Sequence, residues 1–481
     1  MRLIGTSLLA VVATLVPASG VVAQENEPAE TPTTEAGAAT EASSGGLQVG
    51  AAKVEITPPA DPAFPAVGEF EHERLYLRAV VLDNGETKAV LIGADLGGIN
   101  EDVWADASQQ IADELGIPVA NIIMTPTHTH SDNPAGFYAP EGTPRYGSDF
   151  VAERSVEVVR QAVADLAPAR VGYSTGEVDL NVNRDAIDRE TRLWTQAANF
   201  EAPADKTVGV LSFIGEDGRP IAAYFNYGMH PVSGYLAGFV SGDFAGEATR
   251  YVEQAFGDDM VAVFSQNASG NLNPRWLRTG TNAIASRSGM EIHGFEEVRE
   301  TIEAPLRDKE VEATVTDPEV ARQLANYMES VGVILGEEVI RVMSHTEGLQ
   351  DDPQIWGLQT TLTCPGRTRL DNAREGVAGQ YEQGDDVDIR LGVLGIGDTA
   401  VVTTNGEVYT EIGQRVLAES PLAKTMYVTL ANGRAASGYI PDDSSFGHQT
   451  FQVLGSRLLP GCAEEGIVDG LTGLVAEYMA Q

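Results

Sequence analysis

Residues 75–96 read LYLRAVVLDNGETKAVLIGADL. Two apolar runs flank Asn84-Gly85, and Asn-Gly supplies the positive φ angles that a tight turn between antiparallel strands requires. The stretch is expected to be a β-hairpin. Just downstream, Val103, Ala107, Ile111 and Leu115 repeat at helical spacing, with Gly116 and Pro118 as stop signals. Similar helices are expected at about Phe150 to Leu166 and at Pro318 to Met343. In the latter, Asp317 caps, Pro318 takes the first turn, and Val320, Leu324, Tyr327, Val331 and Ile334 form the buried stripe. Short apolar runs at Asn121 to Met124, Ile221 to Phe225, Met260 to Phe264 and Thr399 to Val402 read as buried strands between the helices. No fixed-period repeat interrupts this order. The economical architecture is one α/β unit from about residue 47 to the end, central sheets flanked by helices, with a split near 300–317 as the alternative.

The chain has 481 residues, enough for one very large core or two medium ones. With 43% hydrophobic and 21% charged residues it has the composition of a folded soluble protein. Its charge is the outlier: 70 Asp and Glu face 31 Lys and Arg, a net −39. Such a surface repels phosphate backbones and anionic headgroups, so nucleic acid is not expected as a partner. The acidity suits an extracellular protein or serves plain solubility.

Residues 1–23 have the form of a secretory signal peptide. Arg2 gives a positive start, Leu8 to Val16 an apolar run too short to span a bilayer, and Val21-Val22-Ala23 a small-residue exit before Gln24. Residues 24–46 hold five Glu, no basic residue and almost no large apolar group, the composition of a disordered acidic linker. The expectation is a secreted or periplasmic domain over 47–481 with no integral membrane segment after signal cleavage. Cys364 and Cys462 are the two cysteines. They admit one bridge closing a long loop or two buried thiols, and neither has the CxxC neighbour of a thiolate metal site.

The chemistry is expected where strands end, because α/β folds build their sites there. His128 and His130 follow NIIMTPT, and His230 follows IAAYFNYGM. In an extended His128-Thr129-His130 both imidazoles point to one side, so one can hold a metal while the other handles a proton. Glu407 follows TAVVTT and is expected at the N-terminus of the helix EVYTEIGQRVL, either as a ligand or as a helix cap. After VAVFSQ, residues 267–274 (NASGNLNP) form a polar, glycine-containing turn suited to presenting side chains and N–H groups. Two histidines and a carboxylate with an open position make the catalytic-zinc pattern. The carboxylate of Asp243, in SGDFAG, either orients a ligand imidazole or caps a helix. His72, His293, His345 and His448 lack ligand partners at recognisable spacing and read as structural or surface residues, and Trp276 as a core, rim or channel aromatic.

Successive segments resemble the catalytic domain of the neutral, non-lysosomal ceramidases and their bacterial relatives. VGAAKVEITPP, RLYLRAVVLD, TPTHTHSDNPAG, NVNRDA, NYGMHPVSGYLAGFVSGDFAG, FSQNASGNLNP, GEVYTEIG and ANGRAASGYIPDD follow in that family's order, from about Leu47 to the C-terminus. The resemblance implies a mixed α/β catalytic domain without the immunoglobulin-like C-terminal domain of the long members. It implies one Zn2+ per chain held by His128, His230, Glu407 and Tyr439. It also implies His130 as the proton-handling residue and Arg184 as a holder of the substrate amide.

Two residues depart from the family pattern. Asn273 stands where a ceramidase has serine, and Phe451 where a tyrosine is expected. Asparagine cannot be acylated, but its amide can donate to an oxyanion, so a metal-activated water is the expected nucleophile. The implied function is a secreted zinc-dependent hydrolase of an N-acyl amide bond, in ceramide or a related small-molecule or lipid substrate. The alternatives are a hydrolase of another ester, amide or lactone, and a silent module that retains metal and binds without catalysis. Residues 275–315 match no family segment and are the expected seat of acyl-chain selection.

Overall fold

The structure is a computed structural model that describes residues 46–58, 73–132, 148–235, 240–276, 318–372 and 374–481. The signal and linker readings, the Asp317 cap, His72, His293, the possible split at 300–317 and almost all of 275–315 lie outside these residues. The expected hairpin is present. Strand β1 (Gln48–Glu55) pairs antiparallel with β2 (Tyr76–Asp83), which turns through Gly85 at φ 84° into β3 (Lys88–Ala94). Helix α1 (Glu101–Leu115) ends at Gly116 in the left-handed conformation and crosses over to β4 (Ile122–Pro126), parallel to β3. Helix α2 (Ser148–Ala164) and β5 (Ala167–Glu177) follow, then β6 (Asn181–Ile187), β7 (Trp194–Asn199), β8 (Thr207–Gly215) and β9 (Pro220–Tyr227). After α3 (Asp243–Ala255) come β10 (Val261–Gln266), the short β11 (Leu272–Pro274) and α4 (Pro318–Ser344). The last third runs β12 (Ile355–Arg369), β13 (Tyr381–Ile396), β14 (Thr399–Thr404), β15 (Glu407–Val408), α5 (Thr410–Glu419), β16 (Thr425–Val428), β17 (Tyr439–Ile440), α6 (Phe451–Gly455) and α7 (Ala463–Met479).

Eight strands form one sheet in the order β10-β9-β8-β5-β1-β2-β3-β4, and β12-β13-β14-β16 form a second. Strand alternation shows how they stack. Leu77, Ala79, Val81, Val90 and Ile92 face α1 and α2, whereas Val80, Leu82, Ala89 and Leu91 face the second sheet through Leu394, Val401 and Met426. On β9 and β10, Phe225 and Phe264 turn to α3 and α4, and Tyr224 and Val263 to the inter-sheet core. On the far side, Val402, Leu391 and Val393 pack with Ile412 of α5 and Ile467, Leu471 and Leu474 of α7. Burial on both faces is why these strands read as continuous apolar runs instead of alternating ones. Gly93 lets β10 cross close to β3, since a Cβ there would stand 2.7 Å from Val263 Cγ1 and 3.1 Å from the Phe264 carbonyl oxygen. The described residues from 46 onward belong to one compact unit, and among them no helix is long and apolar enough to cross a membrane.

One stripe was misplaced. Leu324 and Val331 of α4 are buried as expected, but Ile334 is 49% exposed, and the buried line runs instead through Ala321, Met328, Gly332, Leu335 and Val339. Gly332 sets this rotation. Its Cα faces α3 so closely that a Cβ would stand 2.2 Å from Glu247 Cβ, so the contact line follows the small residue and not the bulkiest apolar ones.

Cys364 of β12 and Cys462, just before α7, form a disulfide with Cα atoms 5.8 Å apart across a sequence separation of 98. The two-thiol alternative is thereby removed. A crosslink closing about 100 residues restricts the unfolded chain by up to roughly 4–5 kcal/mol in the loop-entropy model. A Cys364→Ala/Cys462→Ala double variant is expected to lose several kcal/mol in urea unfolding. A midpoint equal to that of the parent would mean that core packing alone fixes the α7 docking.

Candidate functional site

Four strand ends deliver the site. β4 ends at Pro126 and β9 at Tyr227, so His128 and His230 emerge from the two halves of the large sheet. Glu407 and Tyr439 face each other as register partners of the parallel pair β15 and β17. Glu407 therefore sits in a strand three residues before α5, not at the helix N-terminus, and the helix is entered through Tyr409. The His128-Thr129-His130 backbone is not extended as expected, because His128 takes φ 66°. The imidazoles are still neighbours, edge to face with centroids 4.9 Å apart.

Backbone carbonyls orient both strand-end imidazoles. His128 Nδ1 lies 2.6 Å from the Gly97 oxygen, and His230 Nδ1 lies 2.8 Å from that of Ser269 and 3.2 Å from that of Leu272. A carbonyl only accepts, so each Nδ1 carries the proton and each Nε2 turns a lone pair inward. Those two Nε2 atoms lie 3.3 and 3.2 Å from one oxygen, Oε2 of Glu407. Tyr439 Oη lies 3.5 Å from His230 Nε2. His128, His230 and Glu407 are buried and Tyr439 half-buried, and converging acceptors out of water need positive charge between them. Burial, aided by Arg184, pushes His230 down to about 4. Burial and the two neighbouring imidazoles push His130 well below its ordinary value. His128, His130 and His230 place ligating nitrogens within 4.8 Å of one another, a cluster able to hold a metal ion.

The other expected residues join the same cavity of about 330 Å³, which is lined by His128, His130, Arg184, Asn273, Glu407 and Tyr439. Arg184 of β6 donates to Asn273 Oδ1 at 3.2 Å, the Gly270 oxygen at 2.5 Å and Tyr439 Oη at 3.1 Å. The 267–274 segment is not purely a turn, because Leu272–Pro274 forms β11 against β6 and so sets Asn273 beside Arg184. Phe451 packs edge-on to Tyr439, with centroids 5.6 Å apart. Asp243 does not orient an imidazole. Its carboxylate accepts from Gly234 N at 2.9 Å and Phe244 N at 2.7 Å, closing the turn before α3, and the imidazoles use carbonyls instead. Trp276 is 65% exposed and stands outside the cavity lining. His345 bonds back to the Arg341 carbonyl at the end of α4, and His448 stacks on Trp194 at 3.6 Å.

Gln266 escaped the sequence reading. At the end of β10, its Nε2 donates to the carbonyls of Thr127 at 3.1 Å and Met229 at 2.9 Å, the residues just before His128 and His230. One buried amide thus sets the spacing of both histidine-bearing segments. Its only sequence signal is a polar residue closing an otherwise apolar strand. A Gln266→Leu variant leaves two buried carbonyls unpaired, costing about 2 kcal/mol, and is expected to retain metal at least about tenfold less tightly in chelator competition. Unchanged retention would limit Gln266 to folding.

Glu411 gives a pH test. It accepts from Asn271 Nδ2 at 2.7 Å, and burial pushes its carboxyl up to about 7. A folded-state pKa above the unfolded value means that stability is fully present below about pH 4.5 and declines as the pH rises toward 7. The stability of Glu411→Gln relative to the parent should therefore rise between pH 5 and 8 in urea titrations, and parallel curves would refute the burial argument.

Residues 60–307 match the family model "Neutral/alkaline non-lysosomal ceramidase, N-terminal". The chain is 29% identical to Neutral ceramidase B of Dictyostelium discoideum over 228 residues, 43% of this chain and 32% of that protein. It is 26% identical to the neutral ceramidase of Mycobacterium tuberculosis over 239 residues, 42% of this chain and 35% of that one. These matches span about a third of the relatives' own length. A solved structure titled "Ceramidase complexed with C2" superposes with TM-score 0.63 at 16% identity, covering 91% of this chain and 76% of that one. The neutral ceramidase from Pseudomonas aeruginosa superposes with TM-score 0.62, also at 16% identity, covering 91% and 75%. The same fold thus extends well past residue 307, and with the family model matched over half of its length, the chain belongs to the neutral/alkaline non-lysosomal ceramidase family.

Proposed function

We propose that this protein is a zinc-dependent hydrolase of an N-acyl amide bond, in ceramide or a related N-acyl lipid, working outside the cytoplasm after removal of residues 1–23. The observation that carries the reading is the convergence of His128 Nε2 and His230 Nε2 on Glu407 Oε2 at 3.3 and 3.2 Å. That spacing equals the edge, roughly 3.3 Å, of a tetrahedron with bonds of about 2.0 Å, the usual zinc distance to nitrogen and oxygen. His128, His230, Glu407 and Tyr439 would hold the ion, and the nitrogen- and oxygen-rich set suits zinc better than magnesium or calcium. Bound there, zinc supplies a Lewis acid and lowers the pKa of water from 15.7 toward about 7.

His130, neutral at pH 7 through burial, accepts the proton of the attacking water and returns it to the leaving nitrogen. The water oxygen goes to the acyl carbon, the C–N bond breaks, and a carboxylate and an amine leave. The Nε of Arg184 is buried without a hydrogen-bond partner, so it keeps a donor in reserve beside the cavity. Asn273 Oδ1 is taken by Arg184, which leaves its amide N–H groups to donate toward the developing oxyanion. No acyl-enzyme is required, in keeping with asparagine at this position.

Full-length protein is expected to contain one zinc per chain by elemental analysis and to release fatty acid from short N-acyl amides. His128→Ala should lose both properties, whereas His130→Gln should keep the zinc and lose about 10²- to 10⁴-fold in kcat. Stoichiometric zinc with normal turnover in His128→Ala would refute the proposal. Activity that survives full metal removal would do the same.

A further inference from the structure

Arg434 lines the same cavity and plays no part in the chemistry above. Its Nη2 lies 3.6 Å from where a Cβ on Gly438 would stand, one residue from Tyr439. Most described basic side chains, among them Lys206, Arg250, Arg275, Arg341, Arg367, Arg390 and Arg415, are engaged by carboxylates or carbonyls, whereas Arg434 is solvent-exposed and, unlike other unengaged arginines such as Arg189 and Arg457, borders the cavity. Arg434 makes no hydrogen bond or ion pair with any described residue. Arg184, the other cavity arginine, already spends donors on Asn273, Gly270 and Tyr439.

The charge of the cavity is therefore opposite to that of the molecule. Among the described lining residues there are two guanidiniums and a single carboxylate, Glu407, which is already matched to the imidazoles. Ile99, Val232, Leu430 and Phe451 supply an apolar wall that accepts a hydrocarbon chain. An uncommitted guanidinium beside that wall, in a molecule that repels anions at long range, is a local device for selecting one. A neutral sphingoid headgroup gives it no charged partner.

We propose that the substrate carries a carboxylate a few bonds from the scissile amide, as N-acyl amino acids do, and that Arg434 binds that carboxylate. This rests on the amide-hydrolase reading and narrows its substrate class. The overall change is unaltered: water adds across the C–N bond, giving a fatty carboxylate and an amino acid. Arg434 acts on substrate choice, because its guanidinium provides paired N–H donors matching the two carboxylate oxygens.

The test compares N-dodecanoylglycine with its neutral near-isostere N-dodecanoylglycinamide, using the zinc-loaded full chain. The ratio of kcat/KM for the two is expected to favour the carboxylate by about tenfold or more. In Arg434→Gln it should fall toward unity, and Arg434→Lys should retain part of the preference. A parent enzyme without preference for the acid, or a ratio unchanged in Arg434→Gln, would overturn the proposal. If neither amide is cleaved, the hydrolase reading fails by itself, and calorimetric binding of N-dodecanoylglycine decides the subsite. Binding at least tenfold weaker in Arg434→Gln supports it, and equal binding overturns it.

Discussion

Three electron-pair donors aimed at one point in a water-poor interior are the constraint around which this protein is organised. His128 Nε2 and His230 Nε2 lie 3.3 and 3.2 Å from Glu407 Oε2, and the carbonyls behind each Nδ1 prevent either ring from relieving the convergence by flipping. Such a point is unstable unless positive charge occupies it. The fold has to supply enough rigidity to keep it from opening, which a single loop could not do.

That rigidity comes from drawing the donors from separate, fully buried strands. β4 and β9 are not neighbours in the large sheet, yet β10, parallel to β9, crosses over β3 at Gly93 and places Gln266 between the segments they launch. Gln266 then ties Thr127 to Met229, while its own carbonyl accepts from Thr429 N at 2.8 Å. Thr429 continues β16 of the second sheet, so Gln266, through its main chain and its side chain together, joins both sheets at the level of the site. Glu407 and Tyr439 arrive as one hydrogen-bonded unit, which explains how a carboxylate and a phenol 32 residues apart keep a fixed separation.

The features that depend on local pattern were legible in the sequence. The Asn84-Gly85 turn, the α1 repeat and its Gly116 stop, and the strand runs before His128 and His230 all rest on short-range preferences that packing did not override. The histidine and carboxylate positions followed from strand ends, whereas the proposed ligand set, Arg184 and Asn273 came through family resemblance, since nothing in their own spacing joins β6 to β11. What failed depended on close approach. The α4 stripe rotated toward Gly332, a residue that hydrophobicity patterns ignore, and His128 left the extended region because its N–H reaches the Leu96 carbonyl at 3.0 Å. Asp243 stayed open between two readings, because a carboxylate near a helix start looks alike in sequence whether it caps or orients an imidazole, and its bonds to the Gly234 and Phe244 N–H groups decide for the cap.

The two departures from the ceramidase pattern act on the same residue. Asn273 occupies Arg184 through Oδ1, and Arg184 in turn donates to Tyr439 Oη, the neighbour of the converging donors. Phe451 meets the Tyr439 ring with an apolar edge and adds no donor. A tyrosine there would compete with Arg184 for the phenol oxygen, and a serine at 273 would offer the guanidinium a weaker, rotatable partner. With asparagine and phenylalanine the guanidinium is held in one orientation, stacked 5.5 Å from the Tyr439 ring centroid. The exchange removes two hydroxyls from the surroundings of a cation that the family pattern already includes. In a chain with a net charge of −39, the arrangement holds a buried positive charge beside Tyr439 and the converging donors.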